Sequence, residues 1–339
     1  MRSKNKKSVC VVAGGSGGHT LPALTLANRW KDKRKIFFFT TTRSIDKRVL
    51  RDRSDLKFTY FKLNKFPGKK IYQYPAFCFQ FLLIFIKTFF LLLVLRPSKI
   101  ISTGGDISIP VCFAGRLLRI PIDLYEVNAV PGRAIKLLSK FAKNIFITFD
   151  DCKKFFPSEA LKVNYPLRFV EEDRFYDKKK VLRDLGLDPA KKTIFLLGGS
   201  QGSVFLNRIF KRWVEKNKDY INDLQIIHQT GSLEQQHFED FYKKLNFLNK
   251  VFDYSDNVKK FYQAADLIVC RAGAGTLFEI NFFQKRCLVI PHKNNYSDHQ
   301  SNNVISLVKE SPKIFCYLDQ DQVLKDKRYF EYFLGTVLS

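Results

Sequence analysis

The sequence predicts an α/β protein built from two facing Rossmann-like domains with parallel sheets and an interdomain cleft. Three observations carry this prediction. Residues 9–13 form an apolar, strand-like run that feeds the loop G-G-S-G-G-H at residues 14–19 and then a helix near Thr20, with Pro22 in its first turn. The same order restarts at residues 193–197, followed by G-G-S-Q-G-S at 198–203 and a helix pattern through Leu206, Ile209, Phe210 and Trp213. A further strand at residues 267–270 runs into a small-residue turn at 271–275 and a helix from Thr276. The domain boundaries fall at residues 1–168 and 169–324. The charged stretch 171–180 reads as the linker, and the tail, about 325–339, is expected to pack back on the first domain.

Size and composition narrow the function classes. A chain of 339 residues with 45% hydrophobic content is long enough for two ordinary cores. Its formal charge of +26 implies attraction to an anionic partner, either nucleic acid or an acidic membrane surface. The seven cysteines include no C-x-x-C pair, which fits small core hydrophobes in a reducing compartment. The first thirteen residues do not have the pattern of a secretory signal.

The remaining elements follow in order. Residues 35–41 read as a buried strand, 43–53 as a charged, solvated helical surface, and 63–70 as a basic loop. Residues 76–95 are a nearly continuous apolar run, long enough to span a bilayer. Yet Gln73, Gln80 and Lys87 recur every seventh residue as one polar stripe, lysines and arginine flank both ends, and a sheet strand follows directly at residues 99–102. The expectation is a helix packed partly on its own sheet and lying on an anionic membrane surface through the basic and apolar 69–99 region. Residues 103–110 form another glycine turn before a helix, 120–128 a strand ending in polar groups, and 145–148 a further strand. Residues 224–228 read as a strand and 257–264 as a helix.

The chemistry collects at the glycine turns. A strand, a glycine turn and a helix put free N–H groups and a positive dipole end at one point, which suits phosphate. Glu279, in the first turns of the last such helix, suits sugar hydroxyls better than an anion. The loop after Pro291 returns Asp298, His299, Gln300 and Asn303 to the same edge. His19, at the lip of the first loop, is either a general base or a loop cap. The one D-x-D, Asp319–Asp321, lies outside every glycine motif and reads as a solvated turn, so no metal site is expected.

Four motifs together resemble the MurG family: G-G-S-G-G-H-T-L-P-A-L at residues 14–24, G-G-S-Q-G-S at 198–203, C-R-A-G-A-G-T-L-F-E at 270–279 and D-H-Q-S-N-N at 298–303. The resemblance implies a GT-B glycosyltransferase. It would move N-acetylglucosamine, with inversion and without a metal cofactor, from UDP-N-acetylglucosamine to undecaprenyl-pyrophosphoryl-N-acetylmuramyl-pentapeptide, working as a peripheral enzyme on the cytoplasmic face of the inner membrane. It assigns His19 as the base and Ser16, Gly17, Gly18, Asn128, Arg168 and Ser200 to the donor side. Ser255 would meet the uracil, Ala274, Gly275, Thr276, Leu277, Phe278 and Glu279 the pyrophosphate and ribose, and Gln300 the sugar hydroxyls. Gly104 and Gly105 fall on the acceptor side. Tyr125, Val127, Tyr165, Asp106 and Ile109 depart from the family pattern. Asp106 matters most, because a carboxylate facing a pyrophosphate is unfavourable. Alternatives are a GT-B transferase acting on another lipid such as diacylglycerol, and a non-catalytic UDP-sugar binder at the membrane. Nucleic-acid binding would explain the charge but not the glycine loops.

Overall fold

The computed structural model describes residues 7–51, 53, 55–156, 159–199, 201–293 and 298–338. The chain divides into two compact units, Met1–Arg168 and Phe169–Ser339. Each is built on one all-parallel sheet.

The first unit runs β1 (Ser8–Val12), α1 (Gly17–Trp30), β2 (Lys35–Thr41), α2 (Ser44–Val49), β3 (Lys57–Phe61), α3 (Tyr74–Leu95), β4 (Ile100–Ser102), α4 (Ser108–Leu117), β5 (Ile122–Glu126), α5 (Arg133–Leu138), β6 (Asn144–Ile147) and β7 (Leu161–Lys162). Its sheet order is β3-β2-β1-β4-β5-β6-β7. The central strands are apolar throughout because helices cover both faces of a parallel sheet. Val9, Val11, Ile101 and Phe38 are fully buried, packed with Ala23, Leu24 and Ala27 of α1. The second unit runs α6 (Lys178–Asp184), β8 (Lys192–Leu197), α7 (Val204–Lys216), β9 (Leu224–Gln229), α8 (Gln235–Lys244), β10 (Asn249–Phe252), α9 (Lys259–Ala264), β11 (Leu267–Cys270), α10 (Ala274–Phe283), β12 (Arg286–Val289), α11 (His299–Glu310), β13 (Phe315–Tyr317), α12 (Gln320–Lys325) and α13 (Arg328–Leu338). Its sheet order is β10-β9-β8-β11-β12-β13. In each sheet the order reverses once, between β1 and β4 and between β8 and β11. The crevice at such a switch point, beyond the carboxyl ends of the strands, is where these sheets take ligands.

Three sequence expectations are corrected. Residues 171–180 are no linker: Asp173 takes an ion pair from Lys259 at 2.8 Å, its carbonyl accepts from Gln263 at 2.8 Å, and Lys178 pairs with Asp266. Charged side chains alone suggested solvation, but their partners stand on the second unit. The tail belongs to the second unit. Phe330 and Leu334 of α13 lie in the second unit's core with Trp213, Leu288 and Val323. The surface at 43–53 is not wholly solvated either, because Asp46 is completely buried. It accepts the Gly15 N–H at 2.8 Å, the Thr20 hydroxyl at 2.7 Å and the Thr41 hydroxyl, so one carboxylate fixes the first glycine loop to α1 and to the end of β2.

Helix α3 bears out the expected partial packing, although Gln73 and Lys87 of the polar stripe are exposed and Gln80 is half-buried. Gln80 accepts the Asn64 N–H at 2.9 Å and the Lys87 ammonium lies 5.4 Å from the Phe61 ring centroid, while Ile84, Thr88 and Leu92 are buried. Phe79, Leu82, Leu83, Ile86, Phe90, Leu93 and Val94 are exposed. The helix is long and apolar enough to cross a membrane, yet only 17% of its most apolar window is buried.

Two outcomes follow from these buried polar groups. Asp46→Ala strands three donors and is expected to cost roughly 3–5 kcal/mol, as for removal of one partner from a buried charged network, read as a lowered urea midpoint for the first unit. In the second unit, burial holds His228 neutral and lowers its pKa to about 3, with Tyr242 Oη at 2.9 Å and Asn207 Oδ1 at 3.1 Å from its two ring nitrogens. The unfolded chain takes up a proton near pH 6.5 and the folded chain does not. Stability is therefore full above about pH 6.5 and is lost as pH falls towards 3. Between about pH 6.5 and 4 the second unit should lose about 3 kcal/mol by urea titration, and His228→Gln should abolish most of that slope.

Candidate active site

In the first unit the loops leaving β1 and β4 meet at the switch point. A Cβ on Gly105, whose φ is +90°, would overlap the carbonyl oxygen of Gly14, so the two loops touch backbone to backbone. A Cβ on Gly104 would come within 3.2 Å of the His19 ring. The histidine is anchored on both sides: its Nδ1 lies 2.8 Å from the Thr103 carbonyl, and its own carbonyl accepts the Thr103 hydroxyl at 2.8 Å. A carbonyl can only accept, so the proton sits on Nδ1 and Nε2 is the ring's acceptor nitrogen. The ring is half-buried. That is the tautomer a general base needs.

Ser16 is the N-cap of α1 but makes no side-chain cap bond. The N–H groups of Gly17 and Gly18 fall in the first turn, outside the helix's own ladder. On the next strand, Glu126 is buried at the end of β5 and accepts the backbone N–H and the side-chain amide of Asn128, each at 2.9 Å, and the Gly132 N–H at 2.9 Å. Burial pushes its pKa up to about 7, against those three donors. Glu126 holds the turn that carries Asn128. Sequence reading missed it because a single acid among Tyr125 and Val127 gives no sign of burial. Arg168 closes the first unit and is half-buried.

In the second unit α10 starts at Ala274, two residues earlier than the sequence suggested, with Gly273 as its N-cap. The Leu277 N–H is bonded to the Gly273 carbonyl, so the N–H groups of Ala274, Gly275 and Thr276 precede the ladder at the positive end of a ten-residue helix. Ala274 and Leu277 are buried, while Gly275, Thr276 and Phe278 are half-buried. Glu279 is buried and accepts the Tyr262 hydroxyl at 2.8 Å, which fixes its carboxylate from α9. Gln300, in the first turn of α11, accepts the His292 N–H at 2.7 Å and so ties down the loop after β12. Asn303 is buried and donates to the Ala272 carbonyl at 3.3 Å, joining α11 to the turn before α10. Ser255 is half-buried in the segment between β10 and α9. Ser200 lies outside the described residues.

Arg271 joins these pieces. It donates to the Ser203 hydroxyl at 3.0 Å, to the Ile290 and Pro291 carbonyls at 3.0 and 3.2 Å and to Gln320 at 2.8 Å, with its guanidinium 4.9 Å from the Phe205 ring. Burial lowers its pKa to about 10, so it stays charged at neutral pH. Ser203 in turn caps α7. The turn after β11, the loop after β8 and the loop after β12 are thus fixed by one side chain. Each unit gathers its own group of the expected residues: His19, Ser16, Gly17, Gly18, Gly104 and Gly105 around the β1–β4 switch, and residues 274–279 with Gln300 beside the β8–β11 switch.

Comparison with known proteins agrees with this architecture. Residues 9–147 match the glycosyltransferase family 28 N-terminal domain, and residues 193–326 match the glycosyltransferase family 28 C-terminal domain. The chain is 30% identical over 310 residues to the UDP-N-acetylglucosamine--N-acetylmuramyl-(pentapeptide) pyrophosphoryl-undecaprenol N-acetylglucosamine transferase of Geotalea uraniireducens, covering 88% of this chain and 82% of that protein. It is 30% identical over 307 residues to the protein of the same name from Aquifex aeolicus, covering 89% and 84%. Among solved structures, MurG of Acinetobacter baumannii shares the fold with a TM-score of 0.74 at 22% identity, over 98% of this chain and 91% of that one. UDP-bound MnaA of S. aureus shares it at 0.60 and 12% identity, over 95% and 89%. With both halves matched in order and relatives aligned over most of their length, the chain belongs to the MurG family of GT-B N-acetylglucosaminyltransferases.

Proposed function

We propose that this enzyme transfers N-acetylglucosamine from UDP-N-acetylglucosamine to an undecaprenyl-pyrophosphoryl-N-acetylmuramyl-pentapeptide, the reaction its relatives are named for. The observation that carries the reading is the His19 ring, whose Nδ1 is pinned at 2.8 Å to the Thr103 carbonyl, so that the proton sits on Nδ1 and Nε2 is the basic nitrogen. His19 Nε2 takes the proton of the acceptor hydroxyl as that oxygen attacks the anomeric carbon. The bond to the UDP oxygen breaks on the opposite face, so the configuration inverts. The leaving diphosphate needs positive charge, and the N–H groups at the start of α10 supply it, with Ser200 and Arg168 as further donors. Glu279, oriented by Tyr262, takes the ribose hydroxyls, and Gln300 those of the sugar. Ser255 meets the uracil through its backbone, and Ser16, Gly17, Gly18 and Asn128 complete the donor side. This scheme requires no metal ion.

The acceptor is a lipid, and α3 supplies a surface for it. Its exposed phenylalanines and leucines, with the chain's excess of lysine and arginine, favour an anionic bilayer. The helix lies on that surface and does not cross it. The chain leaves the sheet at β3 before α3 and re-enters it at β4 after, and a single crossing would put two strands of one sheet on opposite sides of the membrane.

Purified protein given radiolabelled UDP-N-acetylglucosamine should form product on a short-chain lipid I analogue and none on diacylglycerol; the reverse result would favour a different lipid acceptor. His19→Ala should bind UDP as the parent does but turn over roughly 10²–10⁴-fold more slowly, the usual contribution of a general base. Separately, the protein should sediment with anionic vesicles, and replacing exposed Phe79, Leu83 and Phe90 together by serine should release it without lowering its melting temperature.

A further inference from the structure

Asp106 follows Gly105 on the acceptor-side loop, where a carboxylate would repel a diphosphate. The structure supplies its counter-charge from elsewhere in the sequence. Arg43, between β2 and α2, brings its Nη2 to 3.4 Å from Asp106 Oδ2 and to 3.4 Å from the Leu63 carbonyl. Its Nη1 lies 2.5 Å from the point where a Cβ on Gly15 would stand, so the guanidinium rests against the backbone of the first glycine loop. The Arg43 side chain is 19% exposed and that of Asp106 35%. The pair is therefore neither buried away from a ligand nor free in solvent. His19 touches the same pair of loops at Gly104, and Arg43 touches them at Gly15.

We propose that Arg43 is a specificity-determining residue for the acceptor, gripping the diphosphate of a prenyl-diphosphate-linked substrate while Asp106 holds its guanidinium in place. The proposal rests on the lipid-linked acceptor argued above. A guanidinium presents several donors in one plane, so it can keep an edge on Asp106 and offer another to phosphate oxygens. Asp106 then has two opposed effects. It orients Arg43, and it weakens the site's hold on an anion by partial neutralisation. The second effect dominates on replacement by asparagine, because the amide oxygen still accepts from Arg43 while the negative charge is gone. A diphosphate offers more acceptor oxygens than a single phosphate, so farnesyl diphosphate should bind more tightly than inorganic phosphate.

The test is calorimetric titration of the full chain with farnesyl diphosphate, alongside inorganic phosphate. Arg43→Gln should raise the dissociation constant for farnesyl diphosphate roughly tenfold, the value of one charge-assisted contact at a partly exposed site. Arg43→Lys should recover part of the loss. Asp106→Asn should tighten binding several-fold, and Arg43→Gln with Asp106→Asn should lie nearer the parent than Arg43→Gln alone. The constant for UDP-N-acetylglucosamine should not move in any of them. A purely structural ion pair would instead weaken binding in both single variants or in neither, and either pattern overturns the proposal, as does a parent protein that does not bind farnesyl diphosphate. A parent that binds farnesyl diphosphate with the expected variant pattern but transfers no sugar to the lipid I analogue sinks the transferase reading and leaves this one standing.

Discussion

The loops that leave neighbouring strands in each sheet touch backbone to backbone, and everything at the ligand face depends on that contact. In the first unit Gly105 sits on the Gly14 carbonyl; in the second, Gly202 sits on the Thr230 carbonyl. Neither place has room for a Cβ. The close approach brings N–H groups from two strand ends into one small volume, which no single loop could do. It is held from behind by buried charge: Asp46 on the first loop, and Arg271 across the turn after β11, the Ser203 cap and the end of β12. These charges cost desolvation and are retained because each is fully engaged by several partners.

The same logic places the chemistry. His19 is held in one tautomer by the Thr103 carbonyl, the one its proposed role as base requires. Glu279 is useful only if its carboxylate faces a fixed direction, and Tyr262 from the neighbouring helix provides this. In both cases the side chain that would react or bind is held by a residue from a different strand or helix. The orientation of both side chains is therefore a property of the sheet order more than of any one motif.

Much of this was legible in the sequence, for a clear reason. Parallel strands buried on both faces read as apolar runs, and a loop that must approach another backbone has to be glycine. Both signals are local, so β1, β8 and β11 and their turns could be read directly. Pairings between distant residues could not. Asp46 stands among Arg43, Lys47 and Arg48, and nothing in that stretch distinguishes a buried acid from a solvated one. Asp106 read as an unfavourable charge because its partner lies 63 residues earlier. The stripe of Gln73, Gln80 and Lys87 was visible by spacing, but not that Gln80 would take the Asn64 N–H and Lys87 would lie over the Phe61 ring while Phe79 and Phe90 stay exposed.

Helix α13 gives the second unit an order of completion. Its core draws on Ile194 at one end and Phe330 and Leu334 at the other, so the hydrophobic cluster closes only when nearly the last turn of the chain is present. The first unit contains all its strands by residue 162. During synthesis a ribosome would carry a finished first unit while the second still waited for the last turns of α13 to leave the exit tunnel. The two units would therefore become stable at different times, and the one that bears the exposed apolar face of α3 would come first.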